Sequence, residues 1–158
     1  MGIGFDVHAF APAGERALVL GGVTIPYERG LEGHSDADVL THSLIDAMLG
    51  ALALGDIGFY FPETDDRYRG ISSMKLLEEV RAMIRRNGYI VYNVDMTIVA
   101  ERPRMAGYVD DIRAGLAAAL GVSRDRIGVK ATTTEGLGFT GREEGIGAQA
   151  IVRLAEGE

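Results

Sequence analysis

The sequence predicts an α+β fold, a single domain with helices packed on one face of a mixed sheet plus a small N-terminal hairpin. Three observations carry that prediction. Strand-like and helix-like periods interleave along the chain instead of falling into separate blocks. Val94, Met96, Ile98 and Ala100 alternate with Asn93, Asp95, Thr97 and Val99, as in a strand whose two faces meet different surroundings. The 158 residues, 47% hydrophobic and 25% charged, suit one full core. The expected domain therefore spans residues 1–158.

Gly2 to Phe10 reads as a strand, with Asp6 and His8 on one face and Phe5 and Val7 on the other. After the loop marked by Pro12 and Gly14, Ala17–Leu20 and Val23–Ile25 form a hairpin turned at Gly21-Gly22. Ser35 or Asp36 is expected to cap a helix carrying Val39, Leu40, Leu44, Ile45, Met48, Leu49 and Leu52, with Gly55 as its stop. Asp38, His42 and Asp46 fall at i, i+4 and i+8, a polar row that should face water or a site. Gly55 to Tyr68 has no period and reads as a long loop over a ligand. Ser72 or Ser73 opens a second helix that ends at Asn87-Gly88. Tyr89–Ala100 is a strand closed by Pro103, and Tyr108–Leu120 a third helix stopped at Gly121. Ile127–Thr134 and Ile146–Leu154 complete the sheet.

Composition excludes several functions. A net charge of −7 argues against a nucleic-acid-binding surface, which needs clustered cations. With no cysteine, disulfides, thiolate metal sites and a cysteine nucleophile are ruled out. No apolar run approaches the roughly 18 to 20 residues of a membrane span, and Met1 leads into a strand without a signal-peptide pattern, so a cytoplasmic location without membrane partners is expected.

All three histidines, His8, His34 and His42, lie in the first third of the chain. Asp6 and His8 from a strand and His42 from a helix would supply three N/O ligands, the number a catalytic zinc uses when its fourth position stays open. Chance spacing would give the same Asp-x-His pair. His34 and Ser35, just ahead of the expected helix, lie where free N–H groups favour a phosphate; the alternative is a solvated cap. Lys130 to Glu135 (Lys-Ala-Thr-Thr-Thr-Glu) gathers a cation, hydroxyls and a carboxylate fit for a phosphate and its divalent ion, although threonine is common in strands without function. Glu101 to Arg104 makes a rigid basic turn, and the glycine-rich stretch 136–147 lacks the Walker pattern. No Ser-His-Asp nucleophile is legible.

Together, Gly4-Phe5-Asp6-Val7-His8, His34-Ser35-Asp36-Ala37-Asp38, Gly55-Asp56-Ile57-Gly58, Phe61-Pro62-Glu63-Thr64-Asp65, Lys130-Ala131-Thr132-Thr133-Thr134-Glu135 and Gly138-Phe139-Thr140-Gly141-Arg142 resemble the 2-C-methyl-D-erythritol 2,4-cyclodiphosphate synthase family, in order and over essentially the whole chain. The resemblance implies a lyase of the non-mevalonate route of isoprene biosynthesis. Such an enzyme converts 4-diphosphocytidyl-2-C-methyl-D-erythritol 2-phosphate into the cyclic diphosphate and releases CMP. It further implies that Asp6, His8 and His42 hold zinc or a similar divalent metal, and that His34 and Thr133 steady the developing charge. Glu135 would hold a second ion, magnesium or manganese, on the diphosphate. Asp56, Ile57, Gly58, Phe61, Pro62, Glu63, Thr64 and Asp65 would line the methylerythritol phosphate, with Asp6, His8, His34, Ser35, Phe139 and Arg142. Ala100, Glu101, Arg102, Pro103, Arg104 and Met105 would hold the nucleotide with Thr132, Thr133, Thr134 and Glu135. The family is a homotrimer with active sites between subunits, and Arg142 and Glu144 match positions near a central cavity where isoprenoid diphosphates bind in some members. Three departures stand out: no Arg precedes Asp6, which suggests a first strand that is either shortened or trimmed; Arg104 stands where Lys is frequent; and Leu137 follows Gly136 where Lys often precedes it. Two other readings use the same residues, a metal-dependent phosphohydrolase that activates water and a non-catalytic nucleotide- or isoprenoid-binding trimer.

Overall fold

The computed structural model describes residues 1–157. Four strands, β1 (Gly2–Ala9), β4 (Tyr89–Val99), β5 (Ile127–Thr132) and β6 (Gly145–Glu156), form one sheet in the order β1-β6-β4-β5. β6 runs antiparallel to both β1 and β4, while β4 and β5 are parallel, so the sheet is mixed as expected. β2 (Leu18–Leu20) and β3 (Val23–Ile25) make the separate hairpin. Three helices, α1 (Val39–Ala51), α3 (Ser73–Arg86) and α4 (Val109–Leu120), cover one face. Val94, Met96 and Ile98 of β4, and Ile146, Ala148, Ala150 and Val152 of β6, point into that layer and are buried. Gly121 ends α4 in the left-handed conformation, at the expected place. No helix among the described residues is long and apolar enough to cross a membrane.

The close fit of α1 on β1 positions everything that follows. A Cβ at Gly4 would lie 1.9 Å from the Ser43 carbonyl oxygen, and one at Gly2 would lie 2.0 Å from that of Ala47. Only glycine admits a helix this near a strand. The strand's alternation then presents Asp6 and His8 to the first turns of α1, while Ile3, Phe5 and Val7 project from the uncovered face, 62%, 61% and 39% exposed. Ile151, opposite Ile3 in the register, extends that apolar surface.

Several boundaries differ from the sequence expectation. α1 starts at Val39 and is capped by Asp38, not by Ser35 or Asp36, because Ala37 turns through φ 58° just before it. The Asp38 carboxylate accepts from the N–H of Thr41, Gly21 and Gly22 and from the Thr41 hydroxyl at 2.7–3.0 Å. Asp38 therefore faces neither water nor a site. It fixes the hairpin turn to the helix start, and burial pushes its carboxyl up against the pull of those donors. At this helix start Asp38 takes the Thr41 N–H, while His34 and Ser35 precede it by a turn of chain. α1 ends at Ala51 rather than running to Gly55. Gly55–Tyr68 is not a plain loop, for it contains the turn α2 (Ile57–Tyr60) and a 3-10 turn at Asp66–Tyr68. β5 stops at Thr132 instead of Thr134, β6 extends to Glu156, and one helical turn, α5 (Gly138–Gly141), interrupts the glycine-rich stretch.

Candidate active site

Asp6, His8 and His42 converge where β1 meets α1, each offering one ligand atom, all within 4.8 Å of one another. Asp6 Oδ2 lies 3.0 Å from His8 Nε2 and 3.3 Å from His42 Nδ1, and the two ring nitrogens are 3.2 Å apart. His8 Nδ1 donates to the Glu32 carbonyl at 2.5 Å, which leaves Nε2 without a proton in the neutral ring. A bare nitrogen beside a carboxylate oxygen needs a positive species between them. Without a metal that species is a proton: burial opposes charge on His8, but hydrogen bonds to Asp6 and the Glu32 carbonyl outweigh it and push its pKa up. Burial likewise opposes ionisation of Asp6, yet its contacts with the His42 and His8 rings hold its carboxyl far below the usual range. A carboxylate, two imidazoles and a partly buried floor fit a divalent cation with an open coordination position.

Above these groups lies a pocket of about 190 Å³ walled by His34, Ser35, Ile57, Gly58, Phe61 and Glu63, with Tyr68 and Leu76 behind. His34 donates from Nε2 to the Asp65 carbonyl at 3.1 Å, tying the 33–38 segment to the far end of the α2 segment. Asp46, from the polar row on α1, accepts the Ile57 N–H at 2.8 Å and so sets where α2 begins. Of the expected substrate residues, Asp56, Pro62, Thr64 and Asp65 do not line this pocket. Asp56 caps α2 through the Phe59 N–H, and Asp65 pairs outward with Arg67. Ser35 turns its hydroxyl inward, to the Ala37 N–H and His42 Nε2. Phe139 lies beside Val7 on the uncovered sheet face, opposite Asp6 and His8, and Arg142 is paired with Glu144 at 2.9 Å.

A second pocket, of about 370 Å³, opens at the other edge of the sheet. It is lined by Ala100, Glu101, Pro103, Arg104, Met105, Thr132 and Thr133, nearly the set expected for the nucleotide, together with Ala106 and Val109. Arg102 leans away to Glu143 at 3.4 Å. The Glu101 carboxylate gathers the N–H groups of Thr134 and Gly136 at 2.9 and 3.2 Å and holds this turn in place. The Gly136 N–H bond is the main reason its pKa is lowered. Glu135 sits just outside the pocket, exposed and at φ 53°, and joins no second cluster of metal-ligating groups among the described residues. Lys130 is taken up by Asp95 at 2.5 Å and does not turn to the threonines. The two pockets share no residue, and three strand spacings, about 14 Å, separate β1 from β5.

Sequence patterning did not mark Ser73, Asp36 or Glu32 as parts of the site, and marked Asp46 only as a member of a polar row. Their contacts span up to 37 residues.

Residues 1–155 match the family model described as the YgbB family. A 2-C-methyl-D-erythritol 2,4-cyclodiphosphate synthase from Moorella thermoacetica is 61% identical over 158 residues, covering 100% of this chain and 96% of that protein. Among solved structures, a CDP complex of IspF from Plasmodium falciparum superposes with a TM-score of 0.86 at 32% identity, covering 99% of this chain and 96% of that one. The bifunctional IspDF from Campylobacter jejuni matches with a TM-score of 0.93 at 43% identity; this chain covers 42% of that longer protein and 98% of its own length is matched.

Proposed function

The chain belongs to the YgbB family, and from that premise we infer that it converts 4-diphosphocytidyl-2-C-methyl-D-erythritol 2-phosphate into 2-C-methyl-D-erythritol 2,4-cyclodiphosphate with release of CMP, in isoprenoid biosynthesis. The observation that carries the site reading is the convergence of Asp6, His8 and His42 at the floor of a pocket, in a chain with no legible nucleophile. None is needed. An oxygen of the substrate's own 2-phosphate attacks the β-phosphorus, a new P–O–P bond closes the ring, and the bond from the β-phosphorus to the bridging oxygen breaks, that oxygen leaving with CMP. What remains for the protein is positioning and charge neutralisation.

Asp6, His8 and His42 would hold the divalent cation, zinc in our reading. Bound there, it polarises a phosphoryl oxygen as a Lewis acid. His34, Ile57, Gly58, Phe61 and Glu63 enclose the methylerythritol phosphate, with Ser35, Asp56, Pro62, Thr64 and Asp65 shaping the same segments. Ala100–Met105 and Thr132 hold the cytidine, Thr133 faces the reacting diphosphate, and Glu135 recruits magnesium or manganese together with it.

The two pockets share no lining residue and open at opposite edges of the sheet. That separation, and the apolar Ile3-Phe5-Val7 face with Ile151, support a homotrimer in which the β5-edge pocket of one subunit completes the β1-edge pocket of the next. Phe139 and Arg142 would act from that interface, Arg142 at the end of a central cavity open to isoprenoid diphosphates. We place the enzyme in the cytoplasm.

Phosphorus NMR of the purified protein with zinc, magnesium and substrate tests this. Two coupled ring-diphosphate resonances growing in step with CMP are expected. Inorganic phosphate or a linear product would make water the nucleophile and the protein a phosphohydrolase, and an unchanged spectrum would leave a binding module.

A further inference from the structure

We propose that Ser73 and Asp36 are positioning residues that fix the tautomer of His42 and so hold its Nδ1 ready for the cation. The proposal rests on the metal reading above and adds to it two residues that touch neither substrate nor metal.

The geometry assigns each hydrogen in turn. Ser73, the first residue of α3, is fully buried, with Oγ 2.5 Å from Asp36 Oδ1 and 2.9 Å from His42 Nε2. A carboxylate only accepts, so the hydroxyl hydrogen goes to Asp36. The Ser73 oxygen must then accept from His42, which places the ring proton on Nε2. Nδ1 is left as a bare lone pair facing Asp6 Oδ2 and His8 Nε2. With the opposite tautomer, either Ser73 would donate to Nε2 and abandon Asp36 to a lone-pair contact at 2.5 Å, or Ser35 would donate from 3.1 Å and leave the Ser73 oxygen facing a bare nitrogen at 2.9 Å. Ser35 Oγ, 3.1 Å from Nε2, is a second and weaker acceptor without a carboxylate behind it.

Asp36 is itself held. Its Oδ2 accepts the Ser73 N–H at 3.1 Å, and its own N–H donates to the Ile71 carbonyl at 3.0 Å. Ser72 makes no side-chain cap, so Asp36 serves as the anion at the positive end of α3. The relay thus joins α1, the 34–38 segment and α3. Outer partners of this kind orient a ligating imidazole and raise metal affinity.

The test uses the full chain labelled with nitrogen-15 in histidine, first without metal. His42 should show the Nε2-protonated pattern in the unmodified protein and in Ser73→Thr, which keeps the hydroxyl, and a mixture of tautomers in Ser73→Ala. Zinc affinity, measured against a competing chelator, should fall about 10- to 100-fold in Ser73→Ala. It should fall less than about threefold in Ser35→Ala, and Ser73→Thr should recover most of the Ser73→Ala loss. An Nδ1-protonated His42 in the unmodified protein would overturn the relay without any variant. So would a Ser73→Ala protein with unchanged tautomer and zinc affinity. Zinc that binds the unmodified chain without shifting the His42 resonances would instead sink the metal reading on which the relay rests.

Discussion

The two pockets are built in opposite ways. At the β1 edge the chemical groups stand on a strand and a helix pressed together through Gly2 and Gly4, and one nitrogen of each ligating imidazole has a partner fixed by another segment. At the β5 edge the lining belongs mostly to turns, and a single carboxylate, Glu101, ties residues 134 and 136 to the end of β4. Placement of charge needs the rigidity of packed elements, whereas recognition of a nucleotide tolerates a turn that adjusts on binding. Damage to the first region should therefore remove chemistry or fold, and damage to the second should weaken binding.

The largest effect is expected from Asp6→Asn or His42→Ala. Either should lose zinc and slow cyclisation by about 10²- to 10³-fold or more while the far-ultraviolet spectrum stays native. Full zinc content and an unaltered rate in either variant would remove the basis of the contrast. Next comes Gly4→Ala, which drives a methyl group into the Ser43 carbonyl and should cost about 1–3 kcal/mol or more in denaturant unfolding. Unchanged stability would mean that α1 is free to shift and that the region is less rigid than described. Glu101→Ala should raise KM for the cytidine substrate about tenfold, the equivalent of roughly one hydrogen bond to a charged group, with kcat and zinc affinity retained. A loss of kcat alone would give the turn a part in the chemistry.

The smallest effect is a pH trend in the metal-free protein. His8, with its pKa raised, contributes stability that is complete below its ordinary value of 6.5 and is lost as pH rises through the folded-state value. Asp6, with its pKa lowered, contributes above 3.8 and loses it only as pH falls toward the folded-state value. Metal-free stability due to this pair should therefore be greatest between about pH 4 and 6.5. Zinc should reverse the upper limb, because the cation requires His8 Nε2 unprotonated. A melting series in chelator and in zinc would show whether the two curves diverge above pH 6.5.

Local rules made much of the fold legible. The alternation in β4, the Gly21-Gly22 turn, the faces of α3 and α4 and the stop at Gly121 all follow from neighbours within a few residues. The Asp6-x-His8 spacing was readable for the same reason, since two positions apart on a strand means one face. The start of α1 was not, because Ala37 at φ 58° overrides the capping preference of Ser35 and Asp36 and hands that role to Asp38. The Ser73–Asp36 relay and the Glu101 tie join residues more than 30 positions apart, and no period or motif records such pairs. Ser73 looked like an ordinary helix opener until α3 was placed against α1.

β1 behaves as a parity code. Its even-numbered residues belong to the helix and the cation and its odd-numbered ones, up to Val7, to the uncovered apolar face. A substitution disturbs one letter of that message, but inserting or deleting one residue ahead of Asp6 would exchange both readings at once, turning Phe5 toward α1 and the carboxylate outward. Natural length variation in this protein should therefore collect in the loop around Pro12 and Gly14, and changes within β1 should come as substitutions.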